Sequence, residues 1–66
     1  MQLKITKHAQ IKMINLGISI GDIKKAIDRG SKTKQTDGFL VCYQYYCVAY
    51  KIIGEKVYKI KTVYLR

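Results

Sequence analysis

The sequence predicts an α+β domain, two N-terminal helices packed on a four-stranded antiparallel sheet, with residues 1–66 forming one unit. Three observations carry this reading. Apolar residues recur at helical spacing from Ile5 to Ile27, the period changes to alternation after Gly30, and turn signals cut the second half into short segments. Sixty-six residues are too few for two cores. A core of this size contributes only ~3–5 kcal/mol of stability.

Gln2 to Ile5 reads as a short lead-in, with Leu3 and Ile5 on one side if extended. Thr6 is the expected N-cap of the first helix, because its hydroxyl can accept from a free amide of the first turn. Ile5, Ala9, Met13 and Leu16 then follow a helical stripe, with His8, Lys12 and Asn15 one strip to the side and Ile11 and Ile14 off it. Gly17 is a natural helix stop, and Ile18 can fold back as its hydrophobic contact. Ser19 and Asp22 have the spacing of a capping box for the second helix. Its buried face is expected from Ile20, Ile23, Ala26 and Ile27, with Lys24, Lys25, Asp28 and Arg29 outward and Gly30 at its end. The short Gly17-Ile18-Ser19 connection predicts an angled helix pair.

Beyond Gly30, Lys32–Thr36 reads as a polar edge strand whose lysines discourage edge-to-edge association. Asp37-Gly38 is a hairpin signal. Phe39–Tyr43, Tyr46–Ile53 and Lys56–Leu65 are the remaining strands, joined by turns at Gln44-Tyr45 and Gly54-Glu55. Alternation directs Val48, Tyr50, Ile52 and Ile60 toward the helices. Lys51, Lys59 and Lys61 then share the open face with Tyr43 or Tyr45, while most of the six tyrosines pack in the sheet. Strict alternation also puts Tyr58, Ile60, Thr62 and Tyr64 on one face and Val57, Lys59, Lys61, Val63 and Leu65 on the other.

Thirteen Lys and Arg against four acids give a net charge of +9, eleven of the cations being Lys. Self-repulsion on this scale opposes folding, so a polyanionic partner is the expected reason for it. A nucleic acid is the leading partner, set against a merely soluble Lys-rich surface or an acidic protein that covers the same patch. The sequence shows no signal peptide pattern, and the longest uncharged run, Gly38–Tyr50, is too short to span a bilayer. The expected setting is therefore cytoplasmic, with no membrane partner. Cys42 and Cys47 with one His cannot complete a zinc site, so no metal or other cofactor is expected. The two cysteines would face each other across the Gln44-Tyr45 turn, where a disulfide is geometrically allowed. A reducing cytosol favours two buried thiols.

His8 is the one side chain whose ordinary pKa lies near neutrality, which makes it the first candidate for general acid or base work. Lys12, one helical turn on, could hold a phosphate beside it. The structural alternative is a first-turn histidine bonded to the sheet or to its own backbone. Cleavage of RNA through the 2′-hydroxyl needs a base, an acid and cations around the phosphorane, which lysines and a tyrosine can supply without a metal.

Lys7-His8-Ala9, Lys12-Met13, Gly17-Ile18-Ser19 and the closing Thr62-Val63-Tyr64 carry a resemblance that covers nearly the whole chain. The pattern resembles a family of small bacterial and archaeal proteins with the signature K-H-A-x-x-R-M-x-x-R-G-I-[ST], within the RelE/ParE and BrnT-like toxin superfamily. Lys12 stands where that signature has its first Arg, and Leu16 where it has the second. Lys is a point charge rather than a bidentate fork. The resemblance implies a RelE-like fold and an RNA-binding protein acting as a metal-independent endoribonuclease on RNA or at the ribosome, controlled by an acidic antitoxin. On that reading His8, Lys12 and Tyr64 are catalytic, and Lys51, Lys59, Lys61 and Arg66 hold nucleic acid. A non-catalytic basic module for nucleic acid or protein is the alternative. A homodimer through Ile11 and Ile14, or through the uncharged strand region, is a further expectation.

Overall fold

The computed structural model describes residues 1–66 as β1 (Gln2–Ile5), α1 (Lys7–Leu16), α2 (Ile20–Arg29), β2 (Ser31–Gln35), β3 (Gly38–Tyr43), β4 (Tyr46–Gly54) and β5 (Val57–Leu65). Local signals set both helices. The Thr6 hydroxyl accepts from the Ala9 amide at 3.1 Å. At the other end Gly17 is left-handed at φ 70°, and the Ile18 amide bonds back to the Met13 carbonyl at 2.9 Å. Ile18 is buried by that fold-back. Ser19 and Asp22 form the reciprocal capping box, with bonds of 2.9 and 3.1 Å.

The sheet departs from the expected architecture. It has five strands in the order β1-β5-β4-β3-β2, and it is mixed rather than antiparallel. The lead-in is a strand: Gln2–Ile5 pairs in parallel with Val57–Ile60. Its reason is physical. Leu3 and Ile5 both pack against the core, and pairing satisfies backbone groups that would otherwise lie unpaired along the edge of β5. The two helices therefore follow a first strand instead of opening the fold, and the class remains α+β.

Each helix covers its own part of the sheet, α1 against β5 and α2 against β3 and β4, rather than packing mainly on one another. Ala9 and Met13 of α1 meet Ile23, Ala26 and Ile27 of α2 in one core with Val41, Tyr46, Val48, Tyr50, Ile60 and Val63. Tyr46 also ties the sheet to α2, its hydroxyl donating to the Asp22 carbonyl at 2.7 Å. Two apolar residues expected inside are not. Ile20 is 51% exposed at the start of α2, and Ile52 is 48% exposed where the β4–β5 hairpin runs past the helices.

A register shift explains the largest error of strict alternation. Tyr50 pairs with Ile60 and Ala49 with Thr62, leaving Lys61 as an extra residue in β5. The bulge reverses parity beyond it. Val63 turns into the core beside Val48, while Thr62 and Tyr64 turn out. Tyr43 shares the parity of buried Val41 and packs against the core, so it does not bear on the open face, and Tyr45 sits in the turn.

Two of the three turns fall one residue from the expected place. Thr36-Asp37 and Glu55-Lys56 are the central pairs, and Gly38 and Gly54 already belong to strands. Gly38 has φ +114°, and a side chain there would strike the Tyr50 carbonyl. Cys42 and Cys47 are joined by a disulfide rather than held as two thiols, because pairing opposes them with Cα atoms 4.0 Å apart. They lie on the face away from the helices.

Gly38→Ala should therefore lose more than about 2 kcal/mol of unfolding free energy, since it combines a disallowed φ with a backbone clash. Gly21→Ala, whose new methyl meets only Ser19 Oγ at 3.6 Å, should gain roughly 0.5 kcal/mol in α2. Urea unfolding of both variants checks the contrast.

Candidate functional site

The face of the sheet away from the helices collects the chain's exposed chemistry. Leu3, Ile5, Tyr50, Tyr58 and Ile60 pack inward, so Lys4, Lys51 and Lys59 between them point outward. Pairing then aligns them. Lys4 lies opposite Lys59, and Lys59 lies opposite Lys51, forming a row of three lysines across β1, β5 and β4. Like charges placed directly opposite are unfavourable, so this row opposes folding. Lys4 was not among the expected site residues. Its signal was its place between Leu3 and Ile5, which becomes informative only once β1 is known to pair with β5.

Asp37 closes the β4 end of the row. Its carboxylate meets Lys51 Nζ at 3.1 Å and Lys61 Nζ at 3.9 Å, and the Lys61 ammonium also donates to the Asp37 carbonyl. Hydrogen bonding and charge from Lys51, with the added charge of Lys61 and Lys59, hold the Asp37 carboxyl below the usual range. The remaining Lys and Arg side chains make no ion pair.

Farther along β5, the bulge presents Thr62 next to Lys61, and His8 Nε2 lies 3.0 Å from Thr62 Oγ1. Thr6 fixes the approach of α1, its amide bonding to the Ile60 carbonyl and its hydroxyl to that of Lys61. Lys12 is one turn beyond His8, about 6 Å along the helix axis. Tyr64 is two residues beyond Thr62 on the same face of β5, about 7 Å on. His8 and Tyr64 are exposed, and Lys12 is half-buried. Arg66 stands apart from the lysine row. Its guanidinium donates to the Gln44 carbonyl at 3.3 Å and its amide to the Tyr45 carbonyl, which fasten it to the β3–β4 turn.

The site residues expected from sequence thus form a strip instead of a single pocket. Lys59 and Lys51 occupy one end, Lys61 and the His8–Thr62 pair the middle, and Tyr64 with Arg66 the other end. Lys59 and Tyr64 are five residues apart on β5, about 17 Å. Such a strip suits an extended polyanion better than a small enclosed ligand. On the opposite side, Ile5, Met13, Ile14, Ile18 and Ile20 line an apolar groove beside α1, with Ile14 73% exposed. Ile11 is also exposed. No helix is long and apolar enough to cross a membrane.

Comparison with known families matches residues 5–65 to a domain of unknown function, DUF4258. The chain belongs to the DUF4258 family. No curated protein and no solved structure matches it. The DUF4258 match starts at Ile5 and ends at Leu65, so it takes in α1, α2, β2, β3, β4 and β5, and with them every site residue above except Lys4 and Arg66.

The depressed Asp37 carboxyl fixes the sign of one pH effect. A carboxyl that titrates lower in the folded chain than in the unfolded chain stabilises the fold above the ordinary Asp value of about 4. That contribution is lost as pH falls through the lowered value. Asp22, depressed by its bonds with Ser19, acts in the same direction. Thermal unfolding between about pH 2 and pH 6 should show stability falling with acidification, and the fall should be shallower in Asp37→Ser.

Proposed function

We propose that this chain is an RNA-binding protein of the RelE/ParE/BrnT-like toxin superfamily, with metal-independent endoribonuclease activity. One observation carries the proposal: a lysine strip, met by the single carboxylate of Asp37, crosses β1, β5 and β4 and continues along β5 to a single imidazole bonded to Thr62. Phosphates would lie along Lys59, Lys51 and Lys61, and Arg66 would extend the contact beyond Tyr64. The Lys7-His8-Ala9 and Gly17-Ile18-Ser19 signature residues support the superfamily reading.

In this mechanism His8 takes the proton of a ribose 2′-hydroxyl, and the resulting oxygen attacks the adjacent phosphorus. Lys12 and Lys61 offset charge on the phosphorane. Tyr64 gives a proton to the departing 5′-oxygen, leaving a 2′,3′-cyclic phosphate and a 5′-hydroxyl. RNA, free or on the ribosome, is the substrate partner. An acidic antitoxin would silence the protein by covering the same lysines.

A second reading is favoured by the His8–Thr62 bond itself, which gives His8 a structural use. On that reading the strip binds nucleic acid without cutting it. Metal-free protein incubated with mRNA, with and without ribosomes, separates the two. The proposal expects cleavage that His8→Ala abolishes, whereas equal products from wild type and His8→Ala would end the nuclease claim.

Binding itself has a separate signature. The logarithm of the affinity for single-stranded RNA should fall linearly with log salt, at a slope near −0.7 for each phosphate neutralised. Lys59→Gln should make that slope shallower. An affinity indifferent to salt would remove the phosphate-binding role of the strip.

A further inference from the structure

The lysine row already holds one anion, and it belongs to the protein. We propose that Asp37 is a built-in competitor for phosphate: its carboxylate, fixed in the β2–β3 turn, occupies the Lys51–Lys61 position that a phosphate of the bound ligand takes over. The inference rests on the reading of the open face as a phosphate-binding surface and adds its regulation.

Three features converge on it. First, ammonium groups from two different strands, Lys51 of β4 and Lys61 of β5, meet one carboxylate through its two oxygens. Phosphate oxygens would be held by the same pair. Lys61 can face Asp37 because the bulge adds it to the open side of β5. Second, the turn is pinned. Gly38, the next residue, packs its backbone against Tyr50 and lies 3.3 Å, measured from an added Cβ, from Lys51 Cα. Asp37 is thus placed over the end of the row. Third, Asp37 is the one acid that pairs with these lysines: Asp22 and Asp28 lie on α2, and Glu55 makes no ion pair.

The contact is also weak enough to yield. The Asp37 side chain is 67% exposed and that of Lys51 47% exposed. Exposed ion pairs contribute little, so a multivalent phosphate ligand can displace the carboxylate. Lys4 and Lys59 have no internal anion and stay free to make the first contact. Ligand would therefore engage the β1 side of the row and then displace Asp37 at its β4 end. The carboxylate lowers affinity for any phosphate ligand and sets a threshold against short or singly charged ones.

The test compares Asp37→Ser, which keeps a small turn residue, with Asp28→Asn, which removes the same charge from α2. Binding of a short fluorescent single-stranded RNA and of inorganic pyrophosphate is measured for each at one salt concentration. Asp37→Ser should bind both ligands roughly three- to tenfold more tightly, as expected for removing up to two exposed pairs. Asp28→Asn should stay within about twofold of wild type. Equal effects of the two variants, or weaker binding by Asp37→Ser, would overturn the inference while leaving RNA binding intact. If no form binds RNA but Asp37→Ser gains affinity for pyrophosphate, the RNA reading falls and the role of Asp37 stands. If no form binds either ligand, both fall. A measurement on the unaltered chain guards against a folding defect in the variant. Carboxyl NMR should show the titration of Asp37 moving up toward the ordinary Asp range when pyrophosphate is added, and an unmoved titration despite binding would overturn the proposal.

Discussion

Much of the molecule depends on the single extra residue at Lys61. Up to Ile60, β5 is paired on both sides, with β1 in parallel and β4 antiparallel. There β1 ends, the Thr6 amide takes the Ile60 carbonyl and the Thr6 hydroxyl takes that of Lys61. Strand pairing is exchanged for a helix cap at one point. The bulge in turn makes the exchange compatible with one core, because it lets both Ile60 and Val63 face the helices. Without it, the parity that buries Ile60 would bury Thr62 and expose Val63. The same residue puts Lys61 and Thr62 side by side on the open face, which joins the lysine row to His8. Core continuity and the continuity of the candidate site thus have one cause.

That cause was not legible in the sequence, and the reason is general. Signals that act within a few residues were read in place: Thr6, Gly17 and Ser19 with Asp22 set the helix ends as their side-chain chemistry requires. Signals that need a partner strand were not. Leu3 and Ile5 reveal an alternating segment but not that it lies beside β5, because a parallel partner is remote and no hairpin turn marks it. A period of two assumes an unbroken register, so one inserted residue inverts everything after it. Gly38 and Gly54 each drew its turn one residue toward itself; Gly38 serves a close backbone approach to Tyr50, and a glycine of that kind looks the same as a turn glycine. Of the site, Lys51 and Lys59 were placed by alternation, and Lys61 reached the open face through the bulge. Lys4 and the meeting of Lys51 and Lys61 at Asp37 could be seen only in three dimensions.

The disulfide adds a covalent element where the noncovalent core is thin. Closing the short Cys42–Cys47 loop removes about 2 kcal/mol of unfolded-state entropy, which is a large share for a domain this size. It holds the β3–β4 hairpin on the open face, beside Tyr64, the β5 partner of Cys47. In reducing surroundings the pair would be a dithiol. The hairpin would then rely on its backbone ladder and on Tyr46, whose ring packs edge-on to Tyr43 and Tyr45 and whose hydroxyl reaches α2.

Charge and stability oppose each other throughout this chain. A +9 domain with a core this small has little free energy to spare. Even so, three lysines stand directly opposite one another across β1, β5 and β4, a placement that costs roughly 0.2–1 kcal/mol for each like pair. Lysine side chains are long enough to splay apart, which lowers this cost but does not reverse its sign. Packing does not account for the row, because all three lysines point away from the core. Solubility does not account for it either, since the same charge spread over separate surfaces would serve equally well. What the alignment does provide is a line of positive potential along one register row, and such a line is complementary to the spaced charges of an extended polyanion. Anion binding would turn the repulsion within the row into attraction, so the arrangement that weakens the free fold is the one that strengthens the bound state.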